Sequence, residues 1–245
     1  MQSWSAGILC YNEAGTIEKV IRDTVAVMAR VSGGDFEVFV VDDCSTDNSK
    51  SIIEKCALEI PEVKLIHHDV NKGIGEALRS IYRAANKENV VTICGDGQFD
   101  VQELLVKTEF DNHEFISFFR LQNTQYNGFR NFLSFFNKWF NKYLLKIFLN
   151  DVNWVKAYKT RTIKMLDLQI KSSLVESEIC SKLMHSGAKP IEFQSKYLPR
   201  IYGVSKGSSW KIVRKAISDL MSLFLVVRKF NKKNGKQLKS VLYSK

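Results

Sequence analysis

The residues best suited to chemistry lie in Val90–Asp100, VVTICGDGQFD. Val90, Val91 and Ile93 form a short β-branched run, and Gly95-Asp96-Gly97 ends it abruptly. Such a run suits a central strand of a parallel sheet. The glycines let the backbone turn and let a ligand come close. Asp96 is then held at the carboxyl end of a strand, where open α/β sheets bind their ligands. A carboxylate there suits a hard cation or a sugar hydroxyl, and it equally suits the cap of a following helix. Two more polar stretches follow strand-like runs: Tyr11-Asn12-Glu13, and Asp42-Asp43-Cys44-Ser45-Thr46-Asp47. If all three loops share one sheet edge, Glu13, Asp42, Asp43 and Asp96 converge on one cleft.

The elements that must position these loops are legible in the apolar pattern. Trp4–Cys10, Phe36–Val41, Val63–His67 and Val90–Ile93 read as strands. Between them, helices begin at Thr16 (Ile17, Val20, Ile21, Val25 and Met28 on one face), at about Lys50, and in the stretch Asn71-Lys72-Gly73-Ile74-Gly75. This alternation implies a parallel sheet with right-handed crossovers, hence an α/β fold. Leu78 stands where a dinucleotide fingerprint needs its third glycine, so an NAD-binding reading is weak.

After Asp100 the pattern changes. Phe115–Phe119 reads as a strand ending in Arg120, and residues 130–149 are helical in period. There Phe132, Phe136, Trp139, Tyr143 and Ile147 share one face, and Arg130, Ser134, Lys138 and Lys142 another. Basic residues beside a face thick with rings suit a helix lying in a membrane interface; the alternative is a core helix with a solvated edge. Asp151–Lys159 returns to the fold, Ser173–His185 is a helix carrying Glu176 and Glu178, and Ile191–Arg200 a strand. A basic loop, Tyr202–Gly207, leads to an amphipathic helix, Trp210–Phe230, with Val213, Ile217, Leu220, Met221, Phe224 and Val227 as its apolar stripe. The tail from Asn231 is expected to fray. The organisation implied is a catalytic domain over 1–207, with a C-terminal helix and tail over 208–245.

Charge is distributed unevenly. Residues 1–100 carry 10 Lys and Arg against 16 Asp and Glu; residues 101–245 carry 26 against 10, for an overall +10. A basic second half fits nucleic acid, an anionic membrane surface or a phosphorylated ligand. Nucleic acid leaves the acidic loops unexplained. The five cysteines form no CxxC pair and read as reduced thiols of a cytosolic setting. The four histidines lack zinc-ligand spacing and read as surface or packing residues. The run into the first strand carries no basic n-region, so no signal peptide is expected, and no window approaches the roughly 18 apolar residues of a membrane span.

Taken together, these motifs resemble family 2 glycosyltransferases, and within them the polyprenyl-phosphate (dolichyl-phosphate) mannosyl- or glucosyltransferases. The resemblance covers about residues 5–215. It rests on Tyr11-Asn12-Glu13, Val41–Asp47 (V-D-D-x-S-x-D), Asn71–Ala77 (N-x-G-x-G-x-A), Cys94–Gln98, Arg130–Ser134 (R-x-x-x-S) and Arg200–Lys206 (R-x-x-G-x-S-K). It implies a glycosyltransferase-A type, Rossmann-like fold and an inverting transfer from a nucleotide-sugar to a polyprenyl phosphate at the cytoplasmic face of a membrane. It assigns the nucleotide-sugar to Leu9, Tyr11, Glu13, Val41, Asp43, Gly95 and Asp96. It assigns Mg2+ or Mn2+ to Asp96 and Gln98, the lipid phosphate to Arg120, Arg130 and Ser134, and closure over the diphosphate to Arg200 and Lys206. Asp96, Arg120, Arg200 and Lys206 are thereby the implied catalytic set. Cys94 stands where the family's D-x-D has its first aspartate. Hard cations prefer oxygen ligands, so the metal is expected to rest on Asp96, Gln98, the diphosphate and water.

An acceptor phosphate is already an anion at neutral pH and needs no strong base. Arg120 and Arg130 would hold it in line with the anomeric carbon. Two rival readings remain: the same fold acting on a soluble polysaccharide or protein with Glu176 or Glu178 as base, and a non-catalytic member of which Cys94 is the symptom.

Overall fold

A computed structural model describes residues 2–105, 113–120, 139–200, 210–233, 238–240 and 242. Seven strands form one sheet: β1 (Trp4–Cys10), β2 (Phe36–Asp42), β3 (Val63–His67), β4 (Asn89–Cys94), β5 (Phe115–Arg120), β6 (Lys156–Lys159) and β7 (Pro190–Ser195), in the order β3-β2-β1-β4-β6-β5-β7. The first four are parallel neighbours, as the alternation predicts. The short β6 runs antiparallel to both β4 and β5, and β5 pairs in parallel with β7. The sheet is therefore mainly parallel with one inverted insertion.

Helices α1 (Ile17–Ser32) and α2 (Ser49–Glu59) cover one face of the sheet; α3 (Ile74–Ala84), α5 (Val175–His185) and α6 (Trp210–Lys233) cover the other, with a short α4 (Thr160–Lys164) after β6. Strand side chains alternate between the two layers. Val38 and Val40 of β2 pack with Ile17, Ile21 and Met28, whereas Val41 packs with Ala77, Leu78 and Ile81. Helix α3 lies so close to β1 that a Cβ on Gly7 would sit 2.3 Å from Ile81 Cγ2. Arg79 of α3 is buried and donates from Nε to the Leu168 carbonyl at 3.0 Å, fastening the later half of the chain to the earlier one.

Four expectations for the later half are corrected. The helix expected to reach residue 149 stops at Tyr143, where the chain turns so that Leu145 and Ile147 enter the core. Lys146 takes a left-handed backbone (φ 54°) in that turn, and Ser181 Oγ of α5 donates to the Leu145 carbonyl at 2.7 Å. The strand expected over 191–200 ends at Ser195. The tail is not wholly frayed: Leu238 is buried among Leu223, Val227 and Phe230. Met221, placed on the apolar stripe of α6 by its periodicity, is exposed instead.

Candidate active site

Parallel registry fixes where the site must lie. Cys10 pairs with Asp42, and Leu9 with Cys94, so the loops after β1, β2 and β4 leave the sheet side by side. The first two loops are stitched together by side-chain oxygens. Backbone N–H groups of Asn12, Glu13 and Ala14 donate to Ser45 Oγ (3.0 Å), Ser49 Oγ (2.9 Å) and Asp47 Oδ2 (3.1 Å). Asn12 adopts φ 57°, which asparagine tolerates, and its Oδ1 accepts from the Thr46 N–H at 2.7 Å.

The loop carboxylates then separate into two groups. Asp42 is fully buried, beside His67 Nδ1 (3.0 Å) and the Ser45 N–H (3.2 Å). Asp43 accepts from the N–H groups of Lys72 (2.9 Å) and Gly73 (2.8 Å), and its Oδ1 lies 2.7 Å from His68 Nδ1. These two aspartates tie the loop after β2 to the end of β3 and the loop that follows it, and the two histidines are their partners rather than surface or packing residues of no particular role. Glu13 and Asp96 are different: one guanidinium, Arg200, spans both, with Nη2 2.8 Å from Asp96 Oδ2 and Nη1 3.4 Å from Glu13 Oε1. The expected convergence of four carboxylates is thus a convergence of two around a cation.

Arg200 reaches this place because residues 197–198 pair with the loop after β4. Tyr197 bridges Phe99, and the Leu198 N–H donates to the Gln98 carbonyl at 3.0 Å. Gln98 is buried and its Nε2 donates to Tyr197 Oη at 2.7 Å, leaving its side-chain carbonyl as the atom a hard cation would take. Asp96 Oδ1 accepts the Gln98 N–H at 3.1 Å, a local turn. The capping role at the single 3-10 turn Val101–Leu105 falls to Asp100, which accepts the Gln102 N–H at 3.1 Å. Gly95 is held tightly: its N–H donates to the Leu9 carbonyl at 2.8 Å and its carbonyl accepts from Thr16 Oγ1 at 2.7 Å.

Arg120, at the end of β5, belongs to the same constellation. Its Nε donates to Asp151 Oδ2 at 2.7 Å, and its guanidinium carbon lies 4.3 Å from the Trp154 ring centroid and 5.4 Å from that of Tyr197. Trp154 Nε1 donates in turn to Ser195 Oγ at 3.1 Å. Asp151, Trp154 and Tyr197 were not singled out in the sequence; the signal available was a carboxylate and two rings flanking β6 and β7. Val41 is fully buried, so only its backbone can face a ligand. Leu9 lies partly buried at the end of β1, with Tyr11 partly buried beyond it. Cys94 is exposed and brings no oxygen. Arg130, Ser134 and Lys206 lie outside the described residues.

The two candidate bases differ. Glu178 is fully buried, accepting from the N–H groups of Gln169 (2.9 Å) and Ile170 (2.8 Å) and pairing with Lys182 Nζ at 2.6 Å, so it is structural. Glu176 accepts from Tyr158 Oη at 3.0 Å, with Lys156 Nζ 3.7 Å away. Burial pushes its carboxyl up, and Lys156 opposes that shift.

Known proteins place this geometry. Over 95 residues (38% of this chain, 15% of the relative) the sequence is 34% identical to glycosyltransferase AglD of Haloferax volcanii. Over 97 residues (38% and 29%) it is 28% identical to dolichyl-phosphate beta-glucosyltransferase ALG5C of Trichomonas vaginalis. The chain therefore spans less than a third of the length of either curated relative. Among solved structures it is similar to mannosyltransferase PcManGT from Pyrobaculum calidifontis in complex with GDP-Man and Mn2+ (TM-score 0.59, 18% identity, 98% of this chain and 73% of that one). It is similar also to glucosyl-3-phosphoglycerate synthase from Mycobacterium tuberculosis with Mn2+, UDP and phosphoglyceric acid (TM-score 0.63, 16% identity, 91% and 78%). These likenesses give the fold, which is of the glycosyltransferase-A type. The model of the family described as "Glycosyl transferase family 2" matches residues 5–170, from the start of β1 to just before α5, so the chain belongs to that family.

Proposed function

We propose that this chain transfers a sugar, with inversion, from a nucleotide-sugar to a polyprenyl phosphate at the cytoplasmic face of a membrane. The observation that carries the reading is the Arg200 bridge, a cation held between Glu13 and Asp96 at the adjoining ends of β1 and β4. Departure of a nucleoside diphosphate builds negative charge, and a guanidinium already in a partly buried cleft stabilises it without reorganising. Arg200 has only to exchange a carboxylate oxygen for a phosphate oxygen. Leu9, Tyr11, Glu13, Val41, Asp43 and Gly95 form or brace the walls of the nucleotide-sugar site.

Asp96 and the Gln98 side-chain carbonyl fit a divalent ion, Mg2+ or Mn2+, that takes its remaining ligands from the diphosphate and water. Among the described residues no group of three or more His, Cys, Asp or Glu could hold one without them. When bound, the ion neutralises charge on the leaving diphosphate. The similar mannosyltransferase and glucosyl-3-phosphoglycerate synthase were each solved with Mn2+.

The acceptor assignment draws on three things. Glu178 is locked into the fold, which suits an acceptor that is already ionised. Arg120 presents a guanidinium steadied by Asp151, Trp154 and Tyr197, and would orient the phosphate together with Arg130 and Ser134. The similar protein from Trichomonas vaginalis is named for a dolichyl-phosphate substrate. No helix of the described residues is long and apolar enough to cross a membrane. Trp139, Tyr143 and Phe148 are instead 44%, 61% and 62% exposed near Lys142, as contact with an anionic interface would require.

The test is a donor screen with GDP-mannose and UDP-glucose against polyprenyl phosphate and against soluble hydroxyl acceptors, each with and without Mg2+ or Mn2+. Transfer to the lipid phosphate, lost in Asp96→Ala while the fold is kept, is the expected result. Transfer confined to soluble acceptors would overturn the assignment and turn attention to Glu176 as base.

A further inference from the structure

The opposite edge of the sheet holds a second cluster of cations that the transfer reaction does not use. A pocket of about 580 Å³ opens between the α3–β4 connection and the β6–α4 junction, lined among others by Lys87, Glu88, Lys159, Thr160, Arg161 and Lys164. It lies at the start of β4, where Asn89 pairs with Lys159; Cys94 ends the same strand beside the candidate active site. Five residue steps at about 3.3 Å each set the two sites about 17 Å apart, so they are separate.

We propose that this pocket binds a phosphate-bearing ligand. Its size is that of a small-molecule site, for which about 300–1,000 Å³ is usual. Lys159, Arg161 and Lys164 approach it without forming an ion pair with any described residue. Like charges gathered in one concavity repel each other unless an anion joins them. Lys87 differs in pairing with Asp35. The one acid in the lining, Glu88, accepts the Ser3 N–H at 3.0 Å.

A second observation is independent of charge. Thr160 is 6% exposed, its N–H donates to the Glu88 carbonyl at 2.8 Å, and its hydroxyl has no hydrogen-bond partner. A buried hydroxyl without a partner is costly. Thr160 lines this pocket with its hydroxyl covered from solvent, so that donor reaches a bound oxygen only after its side chain rotates toward the cavity. Guanidinium and ammonium groups lining one concavity, with a spare hydroxyl just behind its wall, are what a phosphate group recognises.

The test uses the full chain, ¹⁵N-labelled, in metal-free buffer at low ionic strength. Glycerol phosphate is titrated while backbone amides are followed. Saturable shifts are expected at Lys87, Glu88, Thr160 and Arg161. Arg161→Glu with Lys164→Glu should weaken them at least about tenfold, the value of one charge-assisted hydrogen bond, and Thr160→Val by a smaller factor. Both changes to the cations are at exposed positions, and the variant's unshifted spectrum reports whether it is folded. A parallel arm replaces glycerol phosphate with bicelles carrying phosphatidylglycerol or only phosphatidylcholine. Shifts with both glycerol phosphate and phosphatidylglycerol identify a lipid headgroup; shifts with glycerol phosphate alone identify a soluble ligand. Absence of saturable shifts at these amides in both arms, or shifts unchanged in the double variant, overturns the proposal.

Discussion

Replacing Arg200 by alanine removes a cation shared by Glu13 and Asp96, and the consequences differ for stability and for turnover. In the free protein the variant loses a charge-assisted hydrogen bond at 2.8 Å and a looser contact at 3.4 Å. Such a bond contributes about 1.5–3 kcal/mol when well formed. The Arg200 side chain is 26% exposed against 12–13% for the two carboxylates, so solvent screening lowers the expected loss to about 1–2 kcal/mol. In turnover the guanidinium faces the growing charge of the diphosphate. Loss of one preorganised donor of that kind costs about 3 kcal/mol, or about 100-fold in kcat/KM. Arg200→Lys keeps the charge but not the fork that reaches two acceptors, and should fall between wild type and alanine in both quantities. Urea unfolding and nucleoside diphosphate release, measured on the same preparations, separate the two effects. A variant with wild-type stability and wild-type kcat/KM would refute the reasoning. One with lowered stability but unchanged kcat/KM would reduce Arg200 to a latch between loops.

The remaining expectations concern the frame around that site. A Cβ at Gly95 would lie 2.9 Å from both the Leu9 carbonyl oxygen and Ile17 Cδ1, so Gly95→Ala should destabilise by about 1–3 kcal/mol, read from the shift in urea midpoint. Glu178→Gln breaks a fully buried ion pair with Lys182 and should destabilise by about 3–5 kcal/mol; a change under about 1 kcal/mol would contradict the structural role. Burial raises the Asp47 carboxyl, but the Ser49 hydroxyl and the Ser49 and Ala14 N–H groups outweigh it and hold the group below its ordinary value. A depressed carboxylate contributes stability above its unfolded pKa of about 3.9, lost as pH falls through the folded value. The stability difference between wild type and Asp47→Asn should therefore be full above about pH 5 and fade in more acidic solution.

Much of the fold was open to reading because its signals are local. The apolar runs of β1, β2 and β4, each ending in polar residues, suffice to imply parallel strands with loops on one edge, and registry bears this out. The inverted β6 was not legible, since four residues, Lys156–Lys159, carry too short a pattern to show direction. The aromatic stretch before residue 150 misled by its period: Trp139 and Tyr143 are exposed as an interfacial face would be, yet Ile147 of the same stripe is buried because the helix has already ended.

The sequence by itself determined the kinds of group available at the strand ends and, through their order and intervals, the family. What it could not determine is which carboxylates remain for a ligand. Asp42 and Asp43 look as available as Glu13 and Asp96 when only neighbours along the chain are considered. The division between them is made by partners 25 residues away for the first pair, His67 and His68, and by one 187 and 104 residues away for the second, Arg200. Periodicity and turn chemistry act over a few residues, whereas hydrogen bonding and charge act through space. Only the closed tertiary structure brings those distances to 3 Å and so decides which acid is a brace and which faces the cleft.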